Sequence, residues 1–127
     1  MNLAQYDLRS RAGVLTSEPR IVPGALQTVV VNHAMDRGPD LALVRLTCIV
    51  TDSSWAVGES WILTTETGSA NGLTAVLNAG VVTVLINGTG ITLPNRTNPN
   101  GVPGAITAAS WKYEVICIWW ANLLASL

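Results

Sequence analysis

The sequence predicts an all-β protein, an antiparallel β-sandwich or jelly roll of about seven or eight strands. Three observations predict it. Short segments show the period-two alternation of β-strands, Gly, Pro, Asn and Asp separate these segments, and no amphipathic helix is evident. At 127 residues the chain has room for one domain with one hydrophobic core.

The strands are assigned from alternation and from turn residues. Alternation is clearest in 41–51 and 110–121, where Cys48 and Cys117 fall on the apolar faces. Shorter strands are predicted at 27–31, 60–65, 72–78, 80–87 and 91–93. Both faces of 80–87 are largely apolar.

The pattern divides the chain into an N-terminal arm at 1–22, a sandwich at 23–121 and an apolar C-terminal tail at 122–127. The arm shows no lasting periodicity, and Pro19 and Pro23 close it. The tail lies beyond the last predicted strand. We expect both ends to contact a partner surface, since exposed apolar tails usually do.

The two cysteines, Cys48 and Cys117, are predicted to be reduced and buried rather than bonded to each other. Residues 1–5 lack the basic and apolar regions of a signal peptide, so we expect no export, and thiols that stay in the cytoplasm rarely pair. The chain has no Cys-x-x-Cys pair and one histidine. We therefore predict no metal site and no cofactor.

Charge is distributed unevenly. Only 12% of residues are charged, and after Glu66 the charged residues are Arg96, Lys112 and Glu114. A soluble domain usually spreads both signs over its exterior. Because no apolar run approaches the roughly 20 residues of a membrane helix, we predict no membrane partner, and the dispersed basic residues predict no nucleic-acid partner. The charge-poor surface is instead predicted to face other protein subunits.

The end of the last strand supplies the main interface candidates. Adjacent residues on a strand point to opposite faces, so Trp119 and Trp120 cannot both enter one core. One of them is then either a subunit contact or a platform for sugar stacking, and the low charge around it favours the contact. The predicted interface residues are Leu3, Tyr6, Leu8, Ile116, Ile118, Trp120, Leu123 and Leu124.

No group of residues predicts catalysis. His33 is the one histidine, lies in a turn and has no nucleophile motif near it, so we expect it to bond to backbone. Asp36, Asp40 and Asp52 lie in turns, where Asp commonly accepts from backbone amides. Trp55 lies in a loop and, with Asp52, is the best candidate for a glycan contact.

Several segments resemble small β-domains of tailed-bacteriophage virions: the His-containing turn at 33–39, the strand at 44–48 that ends in Cys48, and the stretches at 55–59, 93–97 and 106–112. Where those domains usually have His-Gly-Leu-Gly, this chain has His33-Ala34-Met35-Asp36. The resemblance implies a tail-, fibre- or head-associated structural protein.

We therefore expect a non-enzymatic virion subunit that decorates or cements a capsid, or joins a head or tail appendage. It would be a homo-oligomer, with a trimer as the expected state, and would bind the major capsid protein or tail and fibre proteins. Its assembly would take place in the bacterial cytoplasm. The alternatives are a carbohydrate-binding module of a tail fibre, a depolymerase fragment and a self-assembling capsid subunit.

Overall fold

The computed structural model describes residues 12–65, 71–94 and 104–125. These residues form two antiparallel β-sheets packed against each other, with a small two-stranded sheet at one end. The strands are β1 (Val14–Thr16), β2 (Arg20–Ile21), β3 (Thr28–Asn32), β4 (Leu41–Cys48), β5 (Ser60–Thr64), β6 (Leu73–Asn78), β7 (Val81–Ile86), β8 (Thr92–Leu93), β9 (Gly104–Ala105) and β10 (Trp111–Ile118). A helix, α1 (Trp120–Ala125), follows.

The first sheet is built around the pairing of β10 with β4, its two longest strands. They run antiparallel from the pair Trp111 and Cys48 to the pair Ile118 and Leu41. β5 extends the sheet beyond β4, while β1 and β2 both pair with the other side of β10. Strict alternation keeps this register, because a slip by one residue would turn every core side chain outward.

The second sheet has the order β3-β7-β6. A short hairpin joins β6 to β7 through Ala79 and Gly80, and Gly80 has a φ of +77°, which suits glycine. The core between the two sheets includes Trp111, Trp119 and Leu15, all fully buried. An antiparallel β-sandwich with one core is thus confirmed.

The last predicted strand is partly wrong. The alternation assigned to 110–121 ends at Ile118, and 120–125 is helical, so part of the predicted tail belongs to α1. The Trp119 N–H still follows the β1 register and donates to the Gly13 carbonyl at 2.8 Å. The ladder stops at the next residue, where the Trp120 N–H donates to the Asp40 carboxylate at 2.8 Å and the helix begins.

The predicted arm at 1–22 is also shorter than expected. β1 and β2 are strands of the first sheet, and Leu15 and Val22 are buried in the core. Residues 12–22 therefore belong to the sandwich. The apolar side chains on either side of Pro19 face inward, while the charged side chains of this segment stay at the surface. The interface candidates Leu3, Tyr6 and Leu8 lie outside the described residues.

Other predictions are confirmed. Cys48 and Cys117 are buried free thiols. The strands at 27–31, 60–65, 72–78 and 80–87 are present within one or two residues of their predicted ends. In the described part of the chain no helix has the length and apolar character needed to cross a membrane.

Candidate assembly surface

The outer face of the first sheet carries a continuous apolar surface, which we call the sheet patch. Because the odd-numbered residues of β10 enter the core, its even-numbered residues face outward, and the register places their neighbours beside them. Ile118 lies between Val14 and Leu41, and Ile116 lies beside Leu43. The sheet patch consists of five half-buried side chains: Val14, Leu41, Leu43, Ile116 and Ile118.

Charge is confined to the other half of this face. Arg45 and Glu114 are register partners on β4 and β10, and Lys112 lies one further row away. Opposite charges on directly opposed strand positions attract each other. The sheet patch lies one to two rows from the Arg45–Glu114 pair and contains no charged residue. A partner could therefore bury it without desolvating an ion.

Helix α1 adds the most exposed apolar side chains next to this end of the sheet. Trp120 is 47% exposed and Leu124 is 67% exposed. The prediction that Trp119 and Trp120 lie on opposite sides is confirmed, since Trp119 is fully buried. Trp120 and Leu124 are four residues apart and so lie on one face of the helix.

The β3–β4 loop holds α1 in place. The Asp40 carboxylate accepts the Trp120 N–H, the Arg37 guanidinium donates to Asn122 Oδ1 at 3.1 Å, and Trp119 Nε1 donates to the Arg37 carbonyl at 3.1 Å. Arg37 also pairs with Asp40 across 3.7 Å. The turn predicted around Asp40 therefore orients the helix as well as joining two strands.

Gly13 fixes the helix from the opposite side. It is buried with a φ of +100°, and a Cβ at this position would lie 2.2 Å from the Leu123 backbone nitrogen. Only glycine allows this approach and this backbone conformation together. Trp120 and Leu124 are therefore presented by a rigid support rather than by a loose tail.

The outer face of the second sheet is a further surface without charge. Its side chains, which we call the Val/Thr face, are Thr28, Val30, Asn32, Thr74, Val76, Asn78, Val81, Thr83 and Leu85. The register aligns Val30, Thr83 and Val76 in one row across the three strands. Both outer faces of the sandwich thus carry areas that water solvates poorly.

The predicted glycan contact is corrected by the burial of Trp55. Only 7% of Trp55 is exposed, and its ring packs edge-to-face against Trp61 and Trp111, with centroids 5.6 and 5.7 Å away. No ring face is left for a sugar. A cavity of about 110 Å³ beside Asp52 is smaller than the roughly 300 Å³ of typical ligand pockets.

Asp52 has a structural role. Its Oδ2 atom accepts from Trp111 Nε1 and from the Thr107 N–H, both at 2.8 Å, and Oδ1 accepts from the Thr107 hydroxyl at 3.2 Å. Burial raises the pKa of Asp52, but these hydrogen bonds outweigh it, and the net pKa lies below the ordinary 3.8. The carboxylate thus satisfies the indole of a core tryptophan.

His33 bonds to backbone, as predicted. Its Nδ1 atom accepts the Met35 N–H at 3.2 Å, which leaves Nε2 to donate to the Asn78 carbonyl at 2.9 Å. The ring also packs edge-to-face on Trp119, with centroids 5.0 Å apart. Nδ1 thus fixes the turn that follows β3, and Nε2 ties the β6–β7 hairpin to that turn.

The two thiols are poor nucleophiles, because both are buried and both have a raised pKa. Burial raises the pKa of Cys117 to about 12. Burial also raises the pKa of Cys48, with a smaller contribution from Asp52, and its thiol donates to the Val50 carbonyl. Among the described residues no group of three or more His, Cys, Asp or Glu side chains could hold a metal ion.

Comparison of the chain with protein-family models, with curated proteins and with solved structures returns no match. Sequence reasoning identified Ile116, Ile118 and Trp120 but missed Val14, Leu41 and Leu43 on the same face. Alternation on 41–51 was the available signal for Leu41 and Leu43. The bonds by which Arg37 and Asp40 hold α1 could not be read from the sequence, because they join segments about 80 residues apart.

Proposed function

We propose that this chain is a non-enzymatic structural subunit of a tailed-bacteriophage virion, acting through contacts with copies of itself and with other virion proteins. The observation that supports the proposal is the sheet patch together with exposed Trp120 and Leu124 on α1, which Gly13, Arg37 and Asp40 hold in place at the end of β10. The resemblance of the turn and strand segments to virion domains supplies the biological setting.

The surface has the character of a subunit contact. It combines an aromatic anchor, Trp120, with branched aliphatic side chains. Its charges lie at two borders, Arg45 and Glu114 on the sheet and Arg37 and Asp40 beside α1. Interfaces between subunits have this arrangement of an apolar centre and a polar rim. Burial of such a surface is favourable by about 25 cal/mol per Å² before the costs of association are subtracted.

The proposal extends to details of architecture and placement. We propose the jelly-roll variant of the sandwich with seven to eight strands, because the chain passes between the two sheets at β3–β4 and at β5–β6. We also propose a trimer that decorates or cements the capsid or joins a head or tail appendage, with the major capsid protein or tail and fibre proteins as partners and the virion as location.

Particle composition tests the proposal. Virions of the phage whose genome carries the coding sequence would be purified by density gradient, and their proteins quantified by mass spectrometry. We expect the chain in the particle band at a fixed ratio to the major capsid protein. A chain found in the cell lysate but absent from washed particles would contradict the proposal. Carry-over is excluded by a matched host enzyme of similar abundance, which must be absent from the band.

A further inference from the structure

β3 is an edge strand of the second sheet and lies apart from the sheet patch, which is on the first sheet. In the ladder between β3 and β7, the His33 N–H donates to the Gly80 carbonyl and the Gln27 carbonyl accepts from Ile86. Odd-numbered residues therefore point their backbone groups at β7, and the even-numbered residues of β3 point theirs away from it. Those outward groups belong to Thr28, Val30 and Asn32, and no described residue bonds to them.

The other edges are obstructed. On β6, the Leu73 N–H donates to Asn71 Oδ1, the Ala75 N–H donates to the Thr65 carbonyl, and the backbone at Gly38 lies against the Leu77 carbonyl. On β5, the Asn71 side chain takes the Thr64 carbonyl. Pro19 interrupts the edge formed by β1 and β2. Proteins protect edges in such ways to prevent unwanted pairing, and no residue in the described part of the chain gives β3 such protection.

The sequence of β3 also favours pairing. The strand reads Thr-Val-Val-Val-Asn, without charge, proline or bulge, and Val30 at its centre is 56% exposed. A groove of about 360 Å³ runs along the edge, bounded on its far side by Glu18 and Arg20. These two side chains lie 3.7 Å apart and cancel in charge, so a second identical surface meets no net repulsion.

We propose that β3 pairs antiparallel with β3 of a second copy across a two-fold axis at Val30, which joins two three-stranded sheets into one continuous sheet. Val30 would face Val30 of the other copy, and Thr28 would face Asn32. Because these are the residues with outward backbone groups, each of the three positions would form hydrogen-bonded pairs, and the Val/Thr faces would become contiguous. This inference rests on the proposed function, since it adds a second self-contact to an assembling subunit.

The second copy is favoured over a foreign peptide by symmetry. An isologous contact requires a surface that complements itself, and β3 is close to palindromic in polarity around Val30. A charged peptide would gain no electrostatic attraction from β3, which carries no charge, or from the Glu18–Arg20 pair across the groove, which has no net charge.

A charge-swap pair tests the proposal. Val30→Lys would place two lysines directly opposite each other, and we expect the dissociation constant to rise by roughly tenfold or more. Val30→Glu should behave alike, and an equimolar mixture of the two should restore association. The matched control is Val76→Lys, which puts the same charge in the same row of the same face on the covered edge strand. Mass is read by sedimentation velocity over a concentration series.

Several results would overturn the pairing: an unchanged mass for Val30→Lys, an equal effect of Val76→Lys, or failure of the mixture to restore association. Amide hydrogen exchange on the unmodified protein gives a second readout that needs no variant. The amides of Thr28, Val30 and Asn32 should be protected at high concentration and exchange freely after dilution. Protection that persists in the monomer would mean that another segment of the same chain covers the edge, and would also overturn the pairing.

The two proposals fail separately. If Trp120→Ala weakens assembly while Val30→Lys does not, the edge pairing is wrong and the virion subunit stands. If the chain is absent from purified particles while Val30→Lys still dissociates it, the pairing stands and the virion function is wrong.

Discussion

Replacing Trp120 by Ala should weaken self-association without weakening the fold. The side chain is 47% exposed on α1, next to the sheet patch. A tryptophan presents up to about 250 Å², so roughly 120 Å² is available to a partner. At about 25 cal/mol per Å², its burial contributes roughly 3 kcal/mol. Loss of that contribution raises the dissociation constant by up to about 100-fold.

The fold should tolerate the change because the backbone contacts of residue 120 are kept. The hydrogen bond to Asp40 uses the main-chain N–H, and Ala is a strong helix former. The free energy of unfolding, measured by urea at a concentration where the protein is dissociated, should change by less than about 1.5 kcal/mol.

Sedimentation equilibrium at several concentrations measures the dissociation constant. Val57→Ala is the matched control, since Val57 is at least as exposed but lies in the β4–β5 loop away from α1. An unchanged dissociation constant for Trp120→Ala, or an equal shift in Val57→Ala, would refute the role given to this surface.

Three further predictions concern the fold that supports the surface. Asp52→Ala should lower the free energy of unfolding by about 1–3 kcal/mol in urea titrations, because it leaves the Trp111 indole N–H unpaired; an effect below 0.5 kcal/mol would contradict this. Since the folded pKa of Asp52 lies below the ordinary 3.8, the stabilisation that depends on its charge is present above about pH 4 and lost as the pH falls through the folded pKa, so the difference in free energy of unfolding between wild type and Asp52→Ala should narrow in acid. Gly13→Ala should lower the thermal midpoint by several degrees and loosen α1, seen as faster exchange of the Leu123 amide, because the added Cβ meets the helix backbone; an unchanged midpoint would show that the support is soft. Cys117 should resist Ellman's reagent at pH 8 in the folded protein and react at once in guanidinium, because burial raises its pKa to about 12; rapid reaction of the folded protein would contradict its burial.

The sandwich itself was predictable from local pattern. The segments now seen as β4 and β10 alternate clearly, and such strands bury one face against another sheet whatever their exact partners. The opposite placement of Trp119 and Trp120 followed from the same rule. Both predictions needed only information carried by neighbouring residues.

The failures involve partners distant in sequence. The strand at 110–121 ends early because the Asp40 carboxylate accepts the Trp120 N–H, and this contact, between residues 80 apart, leaves no trace in the local pattern. β1 looked like an arm because three residues are too few to show alternation, although register with Ile116 to Ile118 fixes it.

Trp55 was predicted to be exposed, and a partner distant in sequence again explains the error. In sequence it lies in a loop rich in Ser and Asp, which suggested exposure. In the structure it packs against Trp111, which is 56 residues away, and Trp61 completes the cluster. An aromatic ring in a loop is exposed only if no residue distant in sequence packs against it, and local sequence does not show which distant residues will do so.

Light scattering on the full chain across a concentration series tests the central idea most directly. We expect a mass that is a multiple of the single chain and that falls in the double variant Ile118→Lys, Trp120→Ala to no more than the two chains that β3 pairing still holds together, with the far-ultraviolet circular dichroism unchanged. A single-chain mass for the unmodified protein at every concentration, in the presence of the partners found in purified particles as well as alone, would contradict it.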